Sequence, residues 1–417
     1  MDQFVIQGGN RLEGTINING AKNAVLPILV GSLLTQEMVI LNNVPYLKDV
    51  LIMNKLLQKY GAEIKSKNNI IHIKSNILKK TELSETMVSK ISSSVLLVGA
   101  LLNRFSKVKI PLPGGCNIGT RELDFHIKGL GALGANIYIK NNFIIAEANK
   151  KLKGTNITFK FPSVGATHQI IIASCLADGE TIINNAAKEP EVVDLANFLN
   201  SMGADIKGAG TSIIRISGVE KLGGTTYSIM PDRITTGTYM IAAAVTKGNI
   251  QINNTKIDFL KNVAEKLREI GVEVIENNEG IRVISSDEIR PVEIITKVYP
   301  GFPTDMQPIV TPLLAIAEGE STIQENIFNN RYNHVVELRK MGANIRIDEN
   351  IATINGVNRL IGSQVTALDL RTGATLILAG LNARGKTIID NASQIERGYE
   401  NIAKVLNLVG ADIERRF

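Results

Sequence analysis

One pattern recurs six times along the 417 residues: an amphipathic helix that runs into Gly, a small or apolar residue, and the start of a strand. It reads LLQKYGAEI, IKGLGALGANI, FLNSMGADI, KLREIGVEV, ELRKMGANI and KVLNLVGADI. The glycines, Gly61, Gly134, Gly203, Gly271, Gly342 and Gly410, fall about 70 residues apart. A fixed period of this length means that one supersecondary unit is copied along the chain, and six copies account for all of it.

Each unit also carries an earlier, more uniformly apolar helix followed by a turn and a β-rich run. Examples are NAVLPILVGSLLTQEMVILNNV, GATHQIIIASCLADGETIINNA, TGTYMIAAAVTKGNIQINNT and TGATLILAGLNARGKTIIDNA. A helix apolar on every side is buried on every side, whereas one with a polar stripe and a C-terminal Gly lies nearer solvent. The repeating element is therefore one buried helix, one amphipathic helix and several short strands. A solenoid is one way to stack such units. Three units closed around their buried helices make a domain of about 200 residues, which fits the usual domain size better.

The expected fold is thus α/β, with two domains of three units each, an inside-out barrel with helices within and strands around them. The seam falls in KLGGTTYSIMPDR, where Gly223, Gly224 and Pro231 interrupt the pattern. The expected domains are residues 22–229, and residues 1–21 together with 230–417, with the N-terminal segment adding a strand to the second.

With 44% hydrophobic and 21% charged residues the chain reads as globular rather than disordered. MDQFVIQGGN lacks the charged and apolar parts of a signal peptide, and the apolar runs stop short of the roughly 20 residues that cross a bilayer. The expectation is a cytoplasmic protein without membrane association. A net charge of +6, with lysines spread rather than gathered beside aromatics, does not make a nucleic-acid footprint. Nothing in the sequence calls for an obligatory protein partner.

The turns that open the buried helices, NGAKNA, PSVGATH, PDRITTG, FPTDMQ and LRTGAT, are rich in small and polar residues. Free N–H groups and the helix dipole at such starts favour phosphate or carboxylate, although every helix needs a start and Ser, Thr and Asp cap helices anyway. Lys22, Arg233 and Arg371 lie in these turns and favour the anion reading.

Two cysteines are too few for a disulfide framework. Cys175, in IIIASCLADG, reads as a core residue. Cys116 sits in PLPGGCNIGTR, a loop punctuated by Pro and Gly with an arginine nearby, where a lowered thiol pKa and reactivity stand beside a purely structural role. His72, His126, His168 and His334 show no metal-ligand spacing, and no metal or cofactor is expected.

NGAKNAVLP, LPGGCNIGTRELDFHIKGL, PSVGATHQI, NAAKEPEVVDLANFL, PDRITTGTY, PGFPTDMQP, NRYNHVVEL, DLRTGATL and ERGYENI, in this order over the whole chain, resemble the UDP-N-acetylglucosamine enolpyruvyl transferases. More distantly the chain is similar to the 3-phosphoshikimate enolpyruvyl transferases, which share the six-unit fold but not the GGC loop. The resemblance implies transfer of the enolpyruvyl group of phosphoenolpyruvate to the 3′-hydroxyl of UDP-N-acetylglucosamine with release of phosphate, the first committed step of peptidoglycan synthesis. Such an addition and elimination needs an acid at C3 of the enolpyruvate, a base for the hydroxyl and cations around phosphate and carboxylate.

By the same resemblance Cys116 is the loop thiol that protonates phosphoenolpyruvate, forms an adduct at its C2 and reacts with fosfomycin, and Asp305 is the base. Lys22, Arg121 and Arg397 surround phosphoenolpyruvate, and Asn23 contacts the substrates. Leu123, Asp124, Ser163, Val164, Gly165 and Ile327 line the sugar-nucleotide site, with Asp369 and Arg371 as an acid–base pair in the cleft between the domains. His126 matches a position near the loop arginine. Taken as bare residues, Asp305 would be a helix cap, the cations solvated surface groups, and Asp369 with Arg371 a structural ion pair.

The chain departs from the family pattern at two positions. Ser92, in ISSSVLLVG, stands where an arginine is usual, and Lys90 two residues away faces another direction on a helix. Glu122 replaces a usual proline beside Arg121. These departures keep open a non-catalytic UDP-sugar-binding paralogue and transfer to another acceptor, while Cys116 and Asp305, which a pure binder does not need, favour the enzyme. The expected motion is closure around the first ligand with the GGC loop as a lid.

Overall fold

A computed structural model describes residues 2–79, 83–114 and 123–417. The chain divides into two compact units, and crosses between them after Asn19 and after Met230.

The unit formed by residues 20–230 holds three buried helices, Lys22–Gly31, Leu97–Leu102 and Val164–Ser174. Every residue of the last from Ala166 to Ser174 is buried, the polar Thr167, His168 and Gln169 along with the apolar residues 170–173. Three helices, Lys48–Lys59, Asp124–Ala132 and Pro190–Ser201, lie outside them. Thr225–Ser228, at the end of this unit, pairs in parallel with Met38–Asn42 at its beginning, so the third repeat closes onto the first.

The other unit, residues 2–19 and 231–417, repeats the plan with buried helices Arg233–Val245, Gln307–Leu314 and Leu370–Asn382, which pack on one another. The outer helix Lys261–Ile270 shows how the two helix types divide the work: it buries only Val263, Ala264, Leu267 and Ile270, one stripe of its surface. The N-terminal segment supplies two strands here. Gln3–Gln7 runs antiparallel between Lys386–Asp390 and Asp412–Arg416, and Glu13–Asn17 pairs in parallel with Asn249–Asn253.

Six sheets result, five of four strands and one of three among the described residues. The three-stranded sheet belongs to the second repeat, where Glu85–Val88 and the 3-10 turn Ser92–Leu96 precede the buried helix in place of the parallel edge strand found in the other repeats. All six repeat glycines take a left-handed conformation, with φ between 86° and 105°. At Gly271 the backbone N–H returns to the carbonyls of Arg268 and Leu267 and ends the helix, a geometry that a side chain would strain.

A second repeated device is written as Asn-Asn in the sequence. Asn43, Asn185 and Asn254 follow their strands with φ of 56°, 54° and 58°. Their side-chain N–H groups donate to the carbonyls of Ile229, Phe159 and Ile18, at 3.0, 2.9 and 2.7 Å, each one residue past a parallel edge strand. Asparagine tolerates this conformation better than other side-chain-bearing residues, and it also fixes where the edge strand ends. Among the described residues no helix is long and apolar enough to cross a membrane.

Candidate active site

Asp305 lies in the 3-10 turn Thr304–Met306 that leads into the Gln307–Leu314 helix. Its carboxylate is held by two guanidiniums: Nη2 of Arg331 donates to Oδ1, and Nη2 of Arg371 donates to Oδ2 at 2.7 Å. The Arg331 and Arg371 side chains are only 3% and 10% exposed, against 27% for Asp305, so the carboxylate edge is the accessible part of the cluster. Burial pushes the Asp305 carboxyl upward, but the charges of Arg371 and Arg331, a hydrogen bond from Arg371 and the charge of Arg233 outweigh it and hold the group well below the usual carboxylate range.

Arg371 is itself fixed by Tyr399. Its Nη1 donates to the phenol oxygen at 3.1 Å, which lies 2.8 Å from Oγ1 of Thr238 on the Arg233–Val245 helix. Arg233 stacks over Tyr299 with the guanidinium carbon 5.6 Å from the ring centre, and Arg331 lies 5.8 Å from that of Phe328. Arg331 also donates from Nε to the carbonyl of Thr304 at 3.3 Å, gripping the backbone beside the carboxylate it pairs with.

The helix starts behave differently from simple anion seats. Asp232 caps the Arg233–Val245 helix by accepting from the N–H groups of Ile234 and Thr235, both at 2.9 Å. Asp369 does the same for Leu370–Asn382, accepting from the N–H groups of Arg371 and Thr372 at 2.8 and 3.0 Å and from the Thr372 hydroxyl at 2.8 Å. The first-turn donors at these two starts therefore already serve a carboxylate of the chain itself. Asp369 meets the backbone of Arg371, while the Arg371 guanidinium turns to Asp305. The partner that sequence reasoning missed is Arg331, whose signal was its place in NRYNHVVEL.

In the other unit Lys22 is the first residue of its helix and pairs with Asp49 at 2.7 Å, with the two side chains 13% and 4% exposed. Asn23 follows, half-buried. Pro27 has no N–H to return to the carbonyl of Asn23, which leaves that oxygen without its usual helical donor. Ser163 caps the Val164–Ser174 helix through the N–H of Ala166 at 3.3 Å. Val164 and Gly165 beside it are half-buried, and a Cβ on Gly165 would lie 3.2 Å from Nε2 of His126. Burial holds His126 and His168 neutral, each pushed down to about 4.

Leu123 is half-buried and Asp124 exposed, paired with Lys128 at 3.2 Å. Ile327 and Arg397 are half-buried on the Asp305 unit, with Arg397 ending the 3-10 turn Ala392–Arg397. Cys175 is fully buried, its Sγ donating to the Ile171 carbonyl, and burial pushes the thiol up to about 12, as befits a core residue. Cys116, Arg121 and Glu122 lie outside the described residues.

A family model described as EPSP synthase (3-phosphoshikimate 1-carboxyvinyltransferase) matches residues 6–406. The chain is 47% identical over 415 residues to the UDP-N-acetylglucosamine 1-carboxyvinyltransferase 1 of Carboxydothermus hydrogenoformans, covering 100% of this chain and 98% of the relative. It is 46% identical to the UDP-N-acetylglucosamine 1-carboxyvinyltransferase of Halothermothrix orenii, covering 100% of both. The chain belongs to the enolpyruvyl (1-carboxyvinyl) transferase family.

Among solved structures it is similar to the enolpyruvyl transferase NikO from Streptomyces tendae, with a TM-score of 0.88 and 23% identity over 99% of this chain and 98% of that one. It is also similar to the EPSP synthase from Acinetobacter baumannii, with a TM-score of 0.78 and 20% identity over 100% of both chains. At these identities the likeness concerns the fold, which is the two-domain inside-out α/β barrel of the enolpyruvyl transferases. Within that fold this transferase carries its caged carboxylate at the start of a buried helix, Gln307–Leu314.

Proposed function

We propose that this chain transfers the enolpyruvyl group of phosphoenolpyruvate to the 3′-hydroxyl of UDP-N-acetylglucosamine and releases phosphate, the first committed step of peptidoglycan synthesis, in the cytoplasm. The observation that carries the reading is the match along the whole chain, at 46–47% identity, to relatives named for that activity. The ionised carboxylate among arginines on one unit and the Lys22–Asp49 pair on the other support it.

In this reading an acid adds a proton to C3 of phosphoenolpyruvate while the sugar oxygen bonds to C2 and gives its proton to a base. Elimination then removes a proton from C3 and breaks the C2–O bond to phosphate. Asp305 is the base and Cys116 the acid and covalent residue that fosfomycin alkylates. Lys22, Arg121 and Arg397 receive the phosphate and carboxylate, with Asn23 between the substrates. Ser163, Val164, Gly165, Leu123, Asp124 and Ile327 hold the sugar nucleotide, and Asp369 and Arg371 are the acid–base pair of the site. A carboxylate clamped by two guanidiniums is a weak base, and an anion sharing those guanidiniums raises its basicity.

The test is phosphate release from phosphoenolpyruvate with UDP-N-acetylglucosamine, with mass spectrometry of the sugar product. A gain of one enolpyruvyl unit is the expected result. Measurable binding of UDP-N-acetylglucosamine with no turnover would instead favour a binding paralogue, and product formed only with a different acceptor would move the substrate assignment.

A further inference from the structure

Glu325 follows the strand Glu320–Gln324, is 4% exposed, and has no part in the chemistry described above. Four donors from three segments converge on its carboxylate. Oε1 accepts from the Thr296 hydroxyl at 3.0 Å and from the N–H groups of Ile327 and Phe328 at 2.8 and 3.2 Å. Oε2 accepts from the Thr304 hydroxyl at 2.9 Å. The protein thus supplies four hydrogen bonds to this one side chain, three at Oε1 and one at Oε2.

These donors join the two places the transfer reading needs in register. Thr304 is the residue before Asp305, and its carbonyl takes the Nε of Arg331, the same guanidinium that clamps Asp305. Ile327 is the apolar contact assigned to the sugar nucleotide. One buried side chain thus ties the turn that carries the base to the backbone that carries the contact, through hydrogen bonds to both.

We propose that Glu325 is a positioning residue, setting Asp305 through the Thr304 hydroxyl and Ile327 through its backbone N–H. The proposal rests on the transfer reading. A buried carboxylate that served stability alone would lower the melting temperature when replaced, without separating kcat from KM.

The experiment compares steady-state kinetics of the full chain with Thr304→Val, Glu325→Gln, both together, and Leu267→Ala, which opens a hole in the outer helix Lys261–Ile270 and serves as a stability control. Thr304→Val severs only the link to Asp305; kcat falls about tenfold and KM for UDP-N-acetylglucosamine stays within about twofold. Glu325→Gln lowers kcat at least as far and raises that KM about tenfold, because residues 327–328 are released as well. The double variant matches Glu325→Gln alone, since both changes cut one connection. Leu267→Ala lowers the melting temperature and leaves kcat unchanged.

The proposal is overturned if Thr304→Val and Glu325→Gln retain wild-type kcat, if their effects on kcat multiply, or if Leu267→Ala loses as much turnover at an equal loss of melting temperature. Wild-type protein without turnover would sink the transfer reading and this proposal with it. Wild-type turnover with unaffected variants would sink the positioning role alone.

Discussion

Oδ2 of Asp305 lies 2.7 Å from Nη2 of Arg371, and Arg331 occupies the other oxygen of the same carboxylate, so the group proposed as a base is held in its charged form by two largely buried cations. A carboxyl whose folded pKa is depressed contributes stability that is present above the unfolded value of about 3.9 and lost as pH falls toward the folded value. Removing one partner of such a pair costs about 3–5 kcal/mol, and Asp305 keeps enough exposure to place this case at the lower end. Arg331→Met is expected to unfold at lower urea at pH 7, with the difference from wild type shrinking by pH 3. A difference that stays constant with pH would mean that the pair contributes nothing through its charge.

The caps at Asp232 and Asp369 give a second expectation. Asp369→Ala removes the acceptor for two backbone N–H groups and one hydroxyl and should cost about 0.5–2 kcal/mol of stability, while Asp369→Asn keeps one acceptor oxygen and costs less. The loss also loosens the first turn that carries Arg371, so turnover of Asp369→Ala falls by more than its melting temperature alone explains. Chemical denaturation paired with steady-state kinetics checks both parts, and equal stability of the Ala and Asn variants would dismiss the cap.

Three histidines make the fold acid-sensitive. Burial holds His126 and His168 neutral, pushed down to about 4, and His334 to about 3. These folded values lie below the unfolded value of about 6.5, so the stability they protect is full above that pH and drains away as pH falls from about 6.5 to about 4. Asp194 works in the opposite sense: burial raises its carboxyl to about 6 despite hydrogen bonds from Tyr227 and the Met230 N–H, so its contribution is fullest below about 4 and is lost as pH rises through about 6. With three histidines against one aspartate, unfolding free energy should drop between pH 6.5 and pH 4.5, and His168→Gln should flatten that drop. A wild-type stability flat across this range would contradict the assignment.

Close helix packing near the arginines gives a fourth. A Cβ at Gly373 would lie 2.3 Å from Cγ1 of Ile395, in the 3-10 turn that ends at Arg397. Gly373→Ala therefore forces the turn away and should cost about 1–3 kcal/mol, although alanine is the better helix former. Gly131→Ala, with nothing within 4 Å of the added carbon, serves as the comparison and should not destabilise. Thermal unfolding of the two variants decides between crowding and helix propensity.

How much of this was legible in the sequence follows from what each feature depends on. The six repeats were legible because their signals are local: a glycine at the end of an amphipathic helix favours the left-handed turn that stops it, and the strand start follows at once. The arginine cage was not, because its members come from positions 305, 331 and 371 and meet only through tertiary packing. Arg371 and Asp369, two residues apart, suggested an ion pair. The helix start instead directs the Asp369 carboxylate to backbone N–H groups and leaves the guanidinium for Asp305. Glu325 carried no signal at all, since a lone glutamate after a strand is usually solvated, and only its burial beneath Thr304 and Ile327 sets it apart.

The last expectation concerns Ser92, the first residue of the 3-10 turn Ser92–Leu96 and half-buried there. Its neighbour Ser94 turns inward, with Oγ donating to the Ile91 carbonyl at 2.8 Å, so the chain at this point is held by its own backbone while Ser92 keeps some exposure. An arginine at this position, which the resemblance to the family leads one to expect, would project a guanidinium from the turn without displacing that bond. One charge-assisted hydrogen bond to a phosphate or carboxylate is worth about 1.5–3 kcal/mol, or roughly ten- to a hundredfold in kcat/KM. Ser92→Arg is therefore expected to raise kcat/KM for phosphoenolpyruvate within that range and to leave the melting temperature within about 2 °C. If kcat/KM for both substrates is unchanged, the serine is not a weak point of the site and the cation is supplied from elsewhere in the chain.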